Sequence, residues 1–180
     1  MTSPLKYISS SCQVCHREET GRLIKDVYQR QDKVKENRDQ LEKQLVRAHI
    51  EASVAWQKGA TRGQMHSILM LIRHAQWRWD FAAAGHGSSF HSPLETLRII
   101  TSGITRAQEA RRQLAKLLVN LGYDGEVPYP EIETKEKAQQ LIGLDMEKLR
   151  EEKEQFLEQV VPKWEKEAKK RESNYPVENL

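Results

Sequence analysis

The only two cysteines of the 180-residue chain lie close together near its start, and a histidine directly follows the second. Cys12, Cys15 and His16 form the pattern C-x-x-C-H, which is the attachment signature of c-type haem. Two thiols at this spacing can add to the two vinyl groups of a haem, and the adjacent imidazole can then reach the iron from one side. The pattern therefore predicts a covalent haem c with His16 as its proximal iron ligand.

Other kinds of site also use closely spaced cysteines. A C-x-x-C redox pair lies at a strand-to-helix junction in a βαβ unit, and no such pattern surrounds Cys12. A zinc site needs four ligands at paired spacings, and the chain has no second cysteine pair. A chance occurrence stays open, but haem attachment is the interpretation that the motif favours.

A second axial ligand could come from one of the other histidines, which are His49, His66, His74, His86 and His91. The first three fall within predicted helices, where a lone histidine is more often a surface or core-edge residue than a ligand. His86 and His91 fall in the break "GHGSSFHSP" between two helices. His86 has a glycine on each side, whereas His91 directly precedes a predicted helix start, so we favour His91. A histidine that merely hydrogen-bonds at the helix start remains the alternative.

The elements that must position these residues are all predicted to be helices. From Arg17 to Lys58 there is no proline, and the only glycine, Gly21, lies near the start. One apolar row recurs every seven residues and predicts a narrow seam along a long helix: Val27, Val34, Leu41, Ala48 and Ala55. A parallel row is polar first and apolar later: Gln31, Arg38, Leu45 and Ala52. We therefore expect the second half of this helix to be better covered than the first.

Capping signals predict where the next helices begin. Thr61 with Gln64 forms a capping box for a second helix that runs to about Ala84. Its apolar residues lie on more than one face, which predicts a central position: Met65, Ile68, Leu69, Ile72, Ala75, Trp77, Trp79 and Phe81. Ser92 as N-cap, Pro93 as first helical residue and Glu95 as capping-box partner begin a third helix.

The rest of the chain predicts shorter helices. One spans about Thr134 to Ile142, and a final one begins at about Asp145 with a kink at Pro162. Phe156, Val160 and Trp164 give that last helix a sparse apolar face.

Composition indicates a solvated helical protein. Apolar residues make up 38% and charged residues 31% of the chain, and the net charge of +3 comes from interspersed signs. This is not the footprint of a nucleic-acid or membrane surface protein. The N-terminal residues have no apolar segment typical of a secretory signal. Because haem c is attached outside the bacterial cytoplasm, we expect a periplasmic location and a chain that has lost its natural beginning.

Two stretches carry a resemblance to a known family. "SPLKYISSSCQVCH" and "AQWRWDFAAAGHGSSFHSPLETLRII" resemble the C-terminal portion of cytochrome c nitrite reductase, the ammonia-forming pentahaem enzyme of the periplasm. The resemblance implies an all-α fold, namely the C-terminal region of a multihaem cytochrome with long helices packed as an irregular bundle. It implies an N-terminal haem-attachment segment 1–16, a long-helix region 17–172 with a haem-ligand loop at 85–92, and a tail 173–180.

The same resemblance implies roles for individual residues. Cys12 and Cys15 match the family's last haem-attachment motif, and His16 matches its proximal ligand. His91 matches the axial ligand of a neighbouring haem whose attachment motif lies upstream, whereas His86 matches a position that is not a ligand. The lysine-ligated catalytic haem of the family and its calcium site have no counterpart in this sequence, so no catalytic residue is assigned.

The implied function is that of one part of a larger enzyme. The whole would reduce nitrite to ammonia with six electrons, and this portion would bind haem, transfer electrons and dimerise without being active alone. The implied partners are the rest of the enzyme, a second copy and a redox partner, either a cytochrome or a quinol dehydrogenase. Dimer contacts would come from the Val27 to Ala55 seam or from the face of Phe156, Val160 and Trp164.

Two other functions remain as alternatives. The first is a free-standing monohaem c-type helical-bundle electron carrier, although such bundles carry the haem motif on their last helix rather than at the start. The second is a haem-free helical interaction protein, which the missing signal and the charged helices favour.

Overall fold

The computed structural model describes residues 3–172, and every regular element in that range is a helix. This confirms the predicted all-α fold. The chain forms two compact units that meet in the sequence at Tyr129 and Pro130. The predicted boundaries at residues 16 and 172 stay a prediction, and the predicted tail 173–180 lies outside the described residues.

In its described residues, 3–129, the first unit contains two short 3-10 turns and four α-helices. The turns are Pro4–Lys6 and Cys12–Val14, and the helices are α1 (Thr20–Gln57), α2 (Arg62–Ala84), α3 (Ser88–His91) and α4 (Pro93–Asn120). Helices α1, α2 and α4 pack on one another, and α3 contacts both α1 and α4. Since a connection of only a few residues joins α1 to α2, the second helix returns along the first.

The predicted seam of α1 forms part of the core of this unit. Val34, Leu41, Ala48 and Ala55 are buried, and Val27 is half-buried. In the parallel row, Leu45 and Ala52 are buried, whereas Gln31 and Arg38 are half-buried. The expectation that the second half of α1 is better covered is therefore confirmed. Because α2 and α4 cover the seam, it does not offer a free surface to a second copy.

A close approach between α1 and α4 depends on Gly103. A Cβ atom at this buried position would lie 2.7 Å from Cδ2 of Leu41 and 3.3 Å from Cβ of Arg78. Distances below about 3 Å between carbon atoms fall far inside the optimal contact of about 3.5–4.0 Å. The glycine therefore leaves room for the Leu41 side chain, which is fully buried.

Helix α2 differs from the predicted central helix on one face. Its capping box forms as predicted, because Thr61 accepts from the Gln64 backbone while the Gln64 side chain accepts from Thr61. Met65, Ile68, Ile72 and Ala75 are buried. However, Leu69, Trp77 and Phe81 are 41%, 71% and 52% exposed. The helix therefore packs with one face and leaves an apolar face uncovered within the described residues.

The start of α4 is only partly as predicted. Ser92 is the N-cap and Pro93 occupies the first turn, but the Ser92 side chain makes no capping hydrogen bond. The backbone N–H of Ser92 already donates to the carbonyl of Ser88 at 3.0 Å, at the end of α3. No donor is left for a return bond from Glu95, and this carboxylate instead accepts from Arg98 at 2.6 and 2.7 Å.

The second unit contains α5 (Lys135–Leu141), α6 (Met146–Gln159) and α7 (Val161–Glu172). The predicted final helix is divided at Val160, next to Pro162, which has no backbone N–H to continue the helical bonding. Across this break the rings of Phe156 and Trp164 pack edge to face at 5.3 Å. Both side chains remain exposed.

A buried ion pair ties α1 to α4 and to the end of the first unit. Glu51 is 7% exposed and accepts from Nε and Nη2 of Arg111 at 2.9 and 2.8 Å. The Tyr129 hydroxyl also donates to Glu51, and the Arg47 guanidinium lies 5.1 Å from the Tyr129 ring centroid. Burial, followed by the hydrogen bond to Glu51, raises the pKa of Tyr129. The cluster therefore holds the segment before Tyr129 on the helices.

We expect Tyr129→Phe to lower the free energy of unfolding by about 1 kcal/mol, since it removes the hydrogen bond that the hydroxyl donates to Glu51 and the one that it accepts from Arg111 at 3.3 Å. The folded state raises the pKa of Tyr129, so its contribution is full below the ordinary tyrosine pKa of about 10 and is lost as the pH rises through the raised value. Urea denaturation at about pH 8 and at about pH 10.5 measures both effects. Tyr28→Phe, at an exposed position, is the control. Equal alkaline losses in wild type and Tyr129→Phe would contradict the assignment.

Candidate functional site

The predicted haem-attachment residues lie on a turn shortly before α1. Cys12–Val14 forms a single 3-10 turn, and the backbone N–H groups of Cys15 and His16 both donate to the carbonyl of Cys12, at 3.2 and 2.9 Å. Neither cysteine is in a disulfide. Cys12 is half-buried with its sulfur 3.6 Å from the Ser11 hydroxyl, and Cys15 is exposed. The turn therefore keeps both thiols and the imidazole within one compact segment of backbone.

Preceding residues anchor this turn. Ile8 is buried, and its carbonyl accepts from the backbone N–H of Gln13 at 2.9 Å. The hydroxyl of Ser11 donates to the carbonyl of Tyr7 at 2.6 Å. The turn is thus held by these hydrogen bonds and by the burial of Ile8.

One cavity brings the turn together with both loop histidines that the sequence indicated. It has a volume of about 510 Å³, and Cys12, His16, His86 and His91 all line it. Apolar side chains from Leu23 and Phe90 line it as well, together with charged side chains from Glu18, Asp26 and Arg30. Residues far apart in the sequence meet here because α2 returns along α1 and places α3 beside the beginning of α1.

The segment that carries His91 is more ordered than the predicted loop 85–92. Ser88–His91 forms a one-turn helix, and the His91 N–H donates to the carbonyl of Gly87 at 3.1 Å. Arg30 of α1 donates to the carbonyl of Phe90 at 3.0 Å, and the rings of Phe90 and His91 lie 4.5 Å apart. The backbone directly before His91 is therefore tied to α1 through Phe90, while the choice of His91 over His86 as a ligand stays a prediction.

A carboxylate that the sequence analysis did not single out lies beside His16. Nδ1 of His16 is 3.7 Å from Oε2 of Glu18, and each side chain is about half exposed. The side chain of Gln13, inside the C-x-x-C motif, donates to the Glu18 carbonyl at 3.0 Å. The only sequence signal for this contact is the spacing of two residues from His16.

The remaining histidines lie elsewhere. His49 and His66 line a different groove, beside Trp77, and His74 lines neither cavity. Within residues 3–172, no group of three or more His, Cys, Asp or Glu side chains converges to hold a bare metal ion. No helix in the same range is both long and apolar enough to cross a membrane.

The residues around Cys12 fit a covalently attached haem. The cavity offers a thiol, an imidazole next to the motif and apolar side chains that can lie against a macrocycle. The second thiol is exposed and free to react. This donor set matches the attachment chemistry of haem c.

Comparison with known proteins places the chain in a family. The family model of cytochrome c552 matches residues 1–173. The chain belongs to the cytochrome c552 family. Cytochrome c-552 of Porphyromonas gingivalis is 54% identical over 169 residues, which are 94% of this chain and 34% of that protein. Cytochrome c-552 of Parabacteroides distasonis is 52% identical over 178 residues, 99% of this chain and 36% of that protein.

A third relative gives the same result. Cytochrome c-552 of Bacteroides thetaiotaomicron is 53% identical over 167 residues, which are 93% of this chain and 34% of that protein. The chain thus spans about a third of the length of these relatives. Membership of a cytochrome c family supports the predicted cofactor, covalent haem c.

These names correct the family assignment made from the sequence. They describe a c-type cytochrome and no enzymatic reaction. The predicted membership of the nitrite reductase family, the six-electron reduction and the enzyme class are therefore wrong on these findings. The calcium site attributed to the full-length enzyme loses its support as well. The physical reason is that C-x-x-C-H and the histidine of "FHSP" describe how a haem is held, and haem ligation alone does not specify a reaction.

Proposed function

We propose that this cytochrome c552 family chain holds one haem c and acts as an electron carrier. The observation that supports this most is the cavity shared by Cys12 and His16, with the thiol of Cys15 on the same turn. When bound, haem c supplies a one-electron redox centre. This keeps the electron-carrier function of the monohaem alternative in the sequence analysis, and the names of the relatives favour it over a nitrite reductase. The chain spans about a third of the length of those relatives. The electron-carrier role of the whole protein is therefore a proposal as well.

Each residue of the site has a separate task in this proposal. Cys12 and Cys15 would hold the cofactor by thioether bonds, so that it could not dissociate. His16 would present one ring nitrogen to the iron. Leu23 and Phe90 exclude water from part of the cavity, which favours an apolar macrocycle over solvent.

Reversible reduction of the haem-loaded chain tests the proposal. The chain is produced in a strain with a cytochrome maturation system, and pyridine haemochrome absorbance gives the haem content. We expect one haem for each chain and a reversible potentiometric titration with the slope of a one-electron couple, about 59 mV for each tenfold change in ratio. Chains without haem would contradict the proposal and favour the haem-free helical protein.

The location and the partners are also proposals. Because haem c is attached outside the bacterial cytoplasm, we place the protein in the periplasm, where a cytochrome or a quinol dehydrogenase would exchange electrons with it. A homodimer would use the exposed face of Phe156 and Trp164, together with the half-buried Val160. The α1 seam is less suitable since α2 and α4 cover it.

For His91 we propose the role of axial ligand to the iron of a neighbouring haem. The side chain is exposed, and its backbone is held by the Arg30 contact to Phe90. About two thirds of the length of the relatives lies outside the match, which leaves room for a second attachment site. A ligand on a fixed backbone loses little conformational entropy on binding.

Substitution of His91 has two expected outcomes. In a protein that also contains the second haem, His91→Ala should turn one low-spin bis-histidine haem high-spin or five-coordinate, as seen by resonance Raman or EPR. In the 180-residue chain, the spectrum of the haem on Cys12 and Cys15 should stay unchanged. His86→Ala is the matched control and should change neither spectrum.

Two results would contradict this role. If His86→Ala removes the low-spin signal, the other cavity histidine is the ligand. If His91→Ala changes the spectrum of the haem attached to this chain, His16 and His91 share one iron.

A further inference from the structure

The carboxylate of Glu18 lies beside Nδ1, one of the two ring nitrogens of His16. Nδ1 of His16 lies 3.7 Å from the carboxylate, an ion-pair distance rather than a hydrogen bond. The hydrogen bond from the Gln13 side chain to the Glu18 carbonyl ties this residue to the C-x-x-C turn. The carboxylate is therefore held beside the imidazole by the attachment motif itself.

We propose that Glu18 is a positioning residue that orients the His16 ring and lowers the reduction potential of the attached haem. The inference rests on the proposed function. A ligating histidine commonly directs its second ring N–H at a carboxylate, carbonyl or water, and a carboxylate there raises the basicity of the ligand. With Nδ1 facing Glu18, the other nitrogen of the His16 ring, Nε2, is left for the iron.

The direction of the effect follows from charge. Reduction of a bound haem would add one electron from the reductant, and no bond of His16 or Glu18 would form or break. A fixed negative charge beside the ligand stabilises the oxidised state, which is the more positive one, and so lowers the potential. Both side chains are about half exposed, so water and salt weaken the interaction.

Potentiometric titration of the haem-loaded chain, with dithionite as reductant, tests this role. We expect Glu18→Gln to raise the potential by up to about 59 mV, a tenfold change in the equilibrium between oxidised and reduced protein. Glu18→Asp keeps the charge, so its reduction potential should stay close to that of the wild type. Glu19→Gln removes the same charge one residue away, where the side chain makes no capping hydrogen bond, and should shift the potential less.

The salt dependence of the reduction potential distinguishes an electrostatic effect of Glu18 from a structural effect of the substitution. The difference between wild type and Glu18→Gln should shrink between about 0.01 and about 1 M salt, as the Debye length falls from about 30 to about 3 Å. Equal shifts in Glu18→Gln and Glu19→Gln, or a shift that salt does not change, would overturn the role of Glu18 and leave the electron-carrier proposal intact. A wild-type chain without haem would overturn both.

Discussion

Replacing both motif cysteines, in the double variant Cys12→Ser and Cys15→Ser, is expected to abolish covalent haem attachment and to leave the helices folded. A serine hydroxyl forms no thioether bond, so neither covalent link can be made. Cys12 is half-buried and Cys15 exposed, and neither belongs to the hydrophobic core of the first unit. Haem absorbance after denaturing electrophoresis measures attachment, and far-UV circular dichroism measures helicity.

Single substitutions give the controls for this result. Cys12→Ser and Cys15→Ser separately leave one thiol and should retain at most one thioether link. His16→Ala keeps both thiols and should alter the spectrum of any attached haem rather than the covalent link. Haem that stays on the double variant after denaturation would contradict attachment through this motif.

The largest expected effect on stability comes from Leu41→Ala. Leu41 is fully buried in α1, and its side chain occupies the space that Gly103 of α4 leaves. Truncation of a buried leucine costs about 2–5 kcal/mol, because contacts are lost and a cavity remains. Urea denaturation measures the change, with Leu69→Ala at an exposed position of α2 as the matched control.

A double-mutant cycle tests the contact itself. Gly103→Ala alone would place its Cβ 2.7 Å from Cδ2 of Leu41, and such overpacking costs about 1–3 kcal/mol. In the Leu41→Ala background that atom is absent, so the added methyl group loses its closest clash and fills part of the cavity, with Cβ of Arg78 at 3.3 Å as the remaining close neighbour. We therefore expect the double variant to be more stable than the sum of the single changes predicts. If the two changes in the free energy of unfolding simply add, Leu41 and Gly103 do not contact each other.

Most of the helical fold could be predicted because its signals are local or periodic. The seven-residue row through Leu41 predicts the buried face of α1, and the Thr61 box fixes the start of α2. The exposed face of α2 could not be predicted, since apolar side chains such as Trp77 do not reveal how many neighbours a helix has. The predicted capping box at Ser92 does not form, because the backbone N–H of Ser92 donates to the carbonyl of Ser88 at the end of the preceding one-turn helix.

The candidate site divides in the same way. Cys12, Cys15 and His16 are a contiguous motif, so the sequence alone indicates their chemistry. The meeting of this turn with His91 depends on the return of α2 along α1, which no local pattern specifies. Glu18 carries no motif of its own, and only the folded turn shows that its carboxylate faces the His16 ring.

Mass spectrometry of one tryptic peptide tests haem attachment most directly. Trypsin cleaves after Lys6 and Arg17, so residues 7–17 are released as a peptide that contains both cysteines and His16. For chain made in a strain with a cytochrome maturation system, we expect this peptide to carry the added mass of one haem. The same peptide recovered with two free thiols and no haem would contradict haem attachment at Cys12 and Cys15.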